Sequence, residues 1–220
     1  MITIKEVKKN KKVKELIKAT DTYLERIGYT EHGSRHADLC ARIAGNILKR
    51  LGHDKKEIEL ARIAAYLHDI GNIINRKDHA QSGALIASDI LRELEMPMED
   101  IVKVMAAIGN HEEFEAGIPI NNIAAAVILA DKSDVHRSRV KKKDLAQFDI
   151  HDKVNYAVLH SFLDVNKKTR TITLKITIDT KFAPIMRYFE IFLDRMLIME
   201  KAAQALGCKF SLIINKTKIL

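Results

Sequence analysis

The sequence predicts a mainly α-helical protein, in which a helical bundle over residues 1–150 is followed by a small α+β appendage over residues 151–220 that packs on it. Two observations predict this arrangement. Apolar residues recur at helical spacing through most of the first 140 residues. Residues 171–178 instead alternate polar and apolar side chains, many of them β-branched, as a half-buried strand does.

Glycine and capping residues mark the boundaries of the predicted helices. Gly28, Gly52 and Gly71 each follow a stretch of helical spacing, where glycine commonly ends a helix. Asp78 precedes another such stretch and can cap its first turn. The sequence therefore predicts helices over residues 4–27, 35–51, 55–70, 78–95, 99–110 and 122–140.

The appendage is predicted to have the order β-β-α-β. Residues 155–165 can pair with the strand at 171–178 across a short turn, residues 183–205 have helical spacing, and residues 208–215 form a last strand. The helical part from Ile185 to Met199 is rich in methionine and apolar residues. We expect it to pack in the core or between the two copies of a homodimer.

The charge balance favours an anionic partner. The formal net charge is +8. The only compact basic run is Arg137 to Lys143, and with five Tyr and no Trp the chain shows no aromatic platform for stacking bases. The sign of the charge alone does not choose among a nucleotide, a nucleic acid and a membrane surface. The weak stacking signature argues against nucleic acid, which is not expected as a partner.

Membrane insertion and secretion are not predicted. The apolar runs are short or broken by charged residues, and lysines interrupt the N-terminal segment. Only Cys40 and Cys208 are present, too few for a disulfide framework. We expect a cytoplasmic protein with no membrane partner.

Four of the nine histidines lie where predicted helices begin or end, at His36, His68, His79 and His111. Helix ends meet at the rim of a bundle, so side chains far apart in the sequence can converge there. Imidazole and carboxylate groups together suit Zn, Fe, Mn and similar divalent cations. The histidine positions therefore indicate a metal site.

Two aspartates stand at the ends of apolar stretches. Asp69 follows His68 at the end of the third predicted helix, and Asp131 follows the apolar run 123–130. A carboxylate in such a stretch is costly to bury unless it is paired or coordinated. Binding to a metal would satisfy both carboxylates.

The order His36, His68-Asp69, Asp131 resembles the signature of the HD superfamily of metal-dependent phosphohydrolases. That signature consists of one histidine, a His-Asp pair and a distant aspartate on a later helix. The resemblance covers about residues 30–140 and implies a helical bundle that hydrolyses phosphate esters or anhydrides. The partner that it implies is a small phosphorylated substrate, with a nucleotide the first expectation.

Two further histidines are similar to those of binuclear members of the superfamily. His79 is followed by Gly83, and His111 is followed by Glu112 as in their His-Glu segment. Within the superfamily the arrangement looks closest to the symmetrical dinucleoside tetraphosphate hydrolases, which Lys132 and Arg137 also resemble.

This resemblance implies one or two divalent transition-metal ions, with iron the first expectation and Zn, Mn, Co or Ni as alternatives. Asp69 would bridge the two ions. The implied ligands are His36, His68, Asp69 and Asp131 for the first ion, and His79, His111 and Asp69 for the second.

The implied catalysis uses a metal-bound water, whose pKa the ions lower towards neutrality. The implied catalytic residues are Asp69, Lys132 and Arg137. Arg76, Lys132, Asp134 and Arg137 would bind the substrate, because arginine and lysine neutralise phosphate charge and Asp134 lies one helical turn beyond Asp131.

Three functions remain open at the level of the sequence. The first is hydrolysis of a phosphomonoester or phosphoanhydride of a nucleotide. The second is a phosphodiesterase for a cyclic nucleotide or an oligonucleotide; many binuclear members, including the HD-GYP phosphodiesterases, carry lysine where this chain has Asn72. The third is a non-catalytic regulatory protein in which the metal is structural.

Overall fold

The computed structural model describes residues 1–113 and 117–220, and the first part of the chain is a bundle of helices. The helices of the bundle are α1 (Ile4–Lys9), α2 (Lys11–Arg26), α3 (Ser34–Leu51), α4 (Lys55–Leu67), α5 (His79–Glu93), α6 (Met98–Gly109) and α7 (Asn122–Ser133). The remainder contains α8 (Ile150–Ala157), β1 (Val158–Asn166), β2 (Thr171–Ile178), α9 (Ile185–Ala205), β3 (Lys209–Ile214) and β4 (Thr217–Lys218). The predicted fold class is confirmed.

Helix α7 runs through the centre of the bundle. Every residue from Ile123 to Ser133 is buried, and the helix packs against α3, α4, α6 and α9. A helix that is apolar on all sides is stable only when other elements surround it. Its last turn therefore carries Asp131 and Lys132 into the protein interior.

Three predicted helix boundaries were wrong. The first predicted helix is broken at Asn10, whose side chain accepts a hydrogen bond from the amide of Val13 at 3.2 Å and so caps α2. Helix α4 ends at Leu67, and a short 3-10 turn follows over Ile70–Ile73. Helix α7 ends at Ser133 rather than at residue 140, because the side chain of Asp134 turns to bind residues of α3.

The C-terminal sheet has the strand order β1-β2-β3-β4. Strands β1 and β2 are antiparallel, β2 and β3 are parallel and joined by α9, and β3 and β4 are antiparallel. The predicted β-β-α-β order is present, with β4 added. Residues 155–157 were predicted as strand but belong to α8, where Asp149 forms a capping box with Asp152.

Helix α9 packs against α7 and joins the sheet to the bundle. Phe192, Met196 and Met199 of α9 are buried and belong to the same apolar core as α7. This packing brings Arg195, on the same helix, towards the end of the bundle where the histidines lie. None of the helices in the described ranges is both long and apolar enough to cross a lipid bilayer.

Candidate metal centre

The six predicted ligands come together at one end of the bundle. His36 lies in the first turn of α3, His68 and Asp69 follow α4, His79 begins α5, His111 follows α6, and Asp131 lies in the last turn of α7. The four imidazole rings are almost fully buried. Their placement results from the helix boundaries, since five separate elements begin or end at this rim.

One group of ligand atoms surrounds Oδ2 of Asp69 and Oδ1 of Asp131. The Nε2 atoms of His36 and His68 lie 3.5 and 3.4 Å from the first oxygen, and 3.3 and 3.5 Å from the second. The two Nε2 atoms are 3.3 Å apart. All four side chains therefore face a common point.

A second group lies on the other side of Asp69. The Nε2 atom of His79 is 3.2 Å from Nε2 of His111, 3.5 Å from Oδ1 of Asp69 and 3.3 Å from Oε2 of Glu112. Asp69 thus directs one carboxylate oxygen to each group, which is the arrangement of a bridging ligand.

The distances between ligand atoms fit a transition-metal ion. Ligand atoms held at about 2.1 Å from one ion, at tetrahedral or octahedral angles, lie roughly 3.0–3.4 Å apart. The separations in both groups are 3.2 to 3.5 Å. Oδ2 of Asp69 is buried and has no hydrogen-bond partner among the described residues. A cation within the first group would satisfy this oxygen.

Hydrogen bonds at the far side of each ring orient the histidines. The Nδ1 atoms of His68, His79 and His111 donate to the backbone carbonyl oxygens of Ala65, Arg76 and Ile108 at 2.8, 3.0 and 2.6 Å. Each Nε2 atom is then left with a lone pair that faces another Nε2, and that of His79 also lies 3.2 Å from Nη1 of Arg76. Such contacts are repulsive unless a cation or a proton lies between the rings, and this hydrogen bonding is what holds metal-binding histidines in place.

The electrostatics of the centre favour bound positive charge. Burial lowers the pKa of His68, but the carboxylates of Asp69 and Asp131 outweigh burial and raise it to about 9. Burial lowers the pKa of His79 to about 4 and that of His111 well below its ordinary value. Burial would raise the pKa of Asp69, but His68 and its neighbours hold it well below the usual range.

Lys132 is buried rather than open to a substrate. Its side chain is 3% exposed, and Nζ lies 2.8 Å from Oδ2 of Asp131 and forms an ion pair with Glu113. Arg195 of α9 forms a second ion pair with Glu113, with Nε 3.1 Å from Oε1 of that carboxylate. Burial raises the pKa of Glu112 to about 7, whereas Lys132 and Arg195 lower that of Glu113 despite its burial.

The other residues predicted to bind substrate lie in different places. Arg76 faces the centre, with Nη2 3.3 Å from Oε2 of Glu112. Asp134 lies behind His36 and binds Nδ1 of that ring. Arg137 lies over the ring of Tyr156, 5.0 Å from its centroid, and none of its described contacts reaches the ligand cluster.

An open cleft of about 930 Å³ reaches the second group of ligands. His79 and Glu112 line its floor. The charged residues that line it are Arg76, Lys77, Arg139 and Arg195 together with Asp78, Glu112, Asp149 and Asp152. The cleft therefore gives a small molecule access to the ligand cluster, with Arg76 and Arg195 as possible phosphate contacts, and α9 supplies part of its lining.

Sequence reasoning missed several residues of the site. Glu112 was singled out only as a neighbour of His111. Asn72 donates to Oδ1 of Asp69 at 3.0 Å, which gives this departure from the binuclear pattern a structural role. Cys40 contacts both ring nitrogens of His36 at 3.6 Å, and burial raises the pKa of its thiol well above the ordinary value. Its sulfur also lies within 4.8 Å of ligand atoms of His36, His68 and Asp131, so Cys40 belongs to the first group of possible ligands.

The fold and the site together define a helical-bundle domain with a candidate metal centre built around a His-Asp pair. Residues 33–136 match the sequence model of the HD domain family. The match covers just under half of the chain and includes the six candidate ligands, from His36 to Asp131. It is a match to the family whose order of histidines and aspartates this chain resembles.

Curated relatives cover only part of this protein. An uncharacterized protein of Methanocaldococcus jannaschii is 30% identical over 169 residues, which cover 66% of this chain and 64% of the relative. Ribonuclease Y of Oceanobacillus iheyensis is 30% identical over 134 residues, covering 61% of this chain and 24% of that protein. Ribonuclease Y of Cutibacterium acnes is 28% identical over 120 residues, and the chain spans 20% of its length.

This chain is similar to one solved structure described as a predicted HD superfamily hydrolase, from an uncultured Thermotogales bacterium. It is 25% identical, with a TM-score of 0.45, and the match covers 57% of this chain and 67% of that chain.

Proposed function

We propose that the protein is a metal-dependent phosphohydrolase that cleaves a phosphomonoester or phosphoanhydride of a nucleotide. The observation that carries this proposal is the pair of facing Nε2 contacts, His36 with His68 and His79 with His111, at 3.3 and 3.2 Å. Backbone carbonyls or a carboxylate bind the other nitrogen of each ring, so the open lone pairs are held ready for cations.

The proposed ligands match the two groups of atoms. His36, His68, Asp69 and Asp131 would hold one ion, and His79, His111 and Glu112 would hold a second, with Asp69 between them. Bound ions would supply an activated water and polarise a phosphoryl oxygen. Iron is the first candidate, followed by Zn, Mn, Co and Ni, because imidazole and carboxylate ligands accept all of these.

The chain itself would bind and orient the substrate. The guanidinium groups of Arg76 and Arg195 line the cleft and can bind phosphate oxygens in a planar fork. Lys132 is better placed to position Asp131 than to touch a substrate, because its ammonium group is enclosed by carboxylates. We therefore assign the phosphate-binding role to the cleft arginines rather than to Lys132 and Arg137.

The test combines metal analysis with a substrate panel. The purified protein is expected to contain one or two transition-metal ions per chain. It is expected to hydrolyse at least one member of a panel of nucleoside monophosphates, dinucleoside tetraphosphates, cyclic nucleotides and oligonucleotides. Asp69→Asn should reduce activity by at least about a hundredfold with unchanged helix content, because it weakens a ligand of both ions.

Asp89→Asn on the exposed side of α5 is the matched control and should retain full activity. An Asp69→Asn protein that is fully active would contradict the proposal. A metal-loaded protein with no activity on any member of the panel would instead favour the regulatory alternative.

A second candidate is a phosphodiesterase that cleaves oligonucleotides. The observation that favours it is the similarity of this chain to part of two proteins named ribonuclease Y. The substrate panel separates the candidates, since a phosphodiesterase would shorten an oligonucleotide that lacks terminal phosphates.

A further inference from the structure

A second cavity of about 420 Å³ lies between α3 and β1, away from the cleft described above. One wall is a face of α3 and the other is β1, the edge strand of the C-terminal sheet, which among the described residues pairs with β2 alone. We call this cavity the α3–β1 groove. Its basic and aromatic lining residues are Arg35, Arg42, Arg50, His136, His160 and Phe162.

Three arginines follow one face of α3 along the groove. Arg35, Arg42 and Arg50 are separated by seven and eight residues, which places them on the same side of the helix. At 1.5 Å per residue they extend over about 22 Å, more than a single nucleotide can contact. The spacing suits a polymer with repeated negative charges.

The positive charge of the groove is compensated at Arg35, which forms ion pairs with Glu31 and Asp134, but much less at Arg42 and Arg50. Asp134 is the acidic residue among those lining it, and that carboxylate is already bound by Arg35 at 2.8 Å and by His36. Arg42 is exposed and has no ion pair with any described residue. Nη1 of Arg50 makes two long contacts, 3.4 Å to Oδ1 of Asp164 and 3.3 Å to the backbone oxygen of Val165. Arg42 and Arg50 are thus available to an anion.

Phe162 places an exposed aromatic ring in the groove, which the binding of an anion by charge alone would not need. Its side chain is 57% exposed on β1, next to His160 and opposite the arginines. A large aromatic ring that stays exposed in a basic groove provides a surface on which an unpaired base can stack.

We propose that the α3–β1 groove binds a single strand of nucleic acid, with phosphates on Arg42 and Arg50 and a base on Phe162. An acidic peptide would use the arginines but gain little from the exposed ring. A duplex would present no free base to the ring. This proposal replaces the expectation, drawn from the sequence, that nucleic acid is not a partner.

The groove adjoins the metal centre through one shared carboxylate. Asp134 lines the groove, binds Arg35 and orients His36. Binding in the groove nevertheless does not depend on hydrolysis, because its arginines and Phe162 are separate from the proposed metal ligands. Binding and catalysis can therefore fail independently.

The test is fluorescence anisotropy of the full chain with a 12-nucleotide oligouridylate labelled with fluorescein, whose integrity is checked on a gel. Phe162→Ala should weaken binding about tenfold, and Phe162→Tyr should restore it because the ring can still stack. Arg42→Gln should weaken binding several-fold. It should also reduce the slope of log Kd against log salt by about 0.7, the contribution of one phosphate contact to a single strand.

The matched control is Arg92→Gln, which removes an exposed arginine from α5, outside the groove. It should bind the probe as the unmodified protein does. Equal losses for Arg42→Gln and Arg92→Gln would overturn the proposal, as would unchanged binding of both Phe162→Ala and Arg42→Gln. Tighter binding to a duplex or to polyglutamate than to the oligouridylate would also overturn it.

Discussion

Nδ1 of His36 lies 2.7 Å from Oδ2 of Asp134, although 98 residues separate the two in the sequence. Asp134 also accepts a hydrogen bond from Arg35 at 2.8 Å, and its backbone carbonyl accepts one from Arg139. The carboxylate is therefore fixed from two sides. It holds the ring of His36 with Nε2 directed at the other proposed ligands.

Asp134→Asn is expected to lower metal affinity by about 10–100-fold. The carboxylate of Asp134 orients the ring of His36 and strengthens it as a ligand, and an amide would weaken that hydrogen bond. Competition with a fluorescent chelator measures the affinity. Asp89→Asn should leave it unchanged. If Asp134→Asn binds metal as tightly as the unmodified protein, the orienting role assigned to this carboxylate is wrong.

Gly71→Ala is expected to destabilise the protein by about 3 kcal/mol and to remove part of its bound metal. A Cβ atom at this position would overlap the backbone oxygen of His79 and the amide nitrogen of Gly83, forcing α5 away from Asp69. Thermal unfolding and metal content per chain measure both effects.

Gly109→Ala is the control for this substitution. Its added Cβ would lie 3.8 Å from Cβ of Ala84, an ordinary contact, so this variant should be as stable as the parent or slightly more so. Full metal content in Gly71→Ala would show that the close contact of α5 with Gly71 does not determine the position of the second group of ligands.

Arg195→Gln is expected to reduce kcat/KM about tenfold. Arg195 lines the cleft and also contacts Glu113, which holds Lys132 beside Asp131. Arg195→Lys should recover part of the loss, since it keeps the charge but not the planar fork. Arg187→Gln, on the exposed side of the same helix, is the control. Steady-state kinetics with a substrate that the protein cleaves measure kcat/KM. If Arg195→Gln has the same kcat/KM as Arg187→Gln, the role assigned to Arg195 is wrong.

Metal removal is expected to lower the melting temperature by roughly 10 °C. Ions present at about a thousand times their Kd stabilise a protein by about 4 kcal/mol, and each kcal/mol corresponds to about 2–4 °C for a chain of this size. Differential scanning calorimetry before and after chelation measures the shift. Asp69→Asn should show a much smaller shift, and an equal shift in that variant would indicate metal bound elsewhere.

The elements predicted best are those whose pattern is local. The strand Thr171–Ile178 was predicted with its observed bounds, because alternation of β-branched and polar residues reports directly on a half-buried strand. The bounds of α3 differ by one residue. The break at Asn10 was missed because asparagine interrupts the apolar spacing no more than any other polar residue does. What separates the two helices is the hydrogen bond that the side chain of Asn10 accepts from the amide of Val13.

The order of histidines and aspartates in the sequence determined which six residues are offered as ligands, because residue type and position at helix ends are readable without a structure. Only the tertiary structure decided that Glu112 turns towards His79 and that Arg195 reaches Glu113 from the C-terminal part. Likewise, Arg42 and Phe162 face one groove only because β1 lies against α3. Such contacts depend on how elements distant in the sequence pack together, and neither helical spacing nor strand alternation encodes that packing.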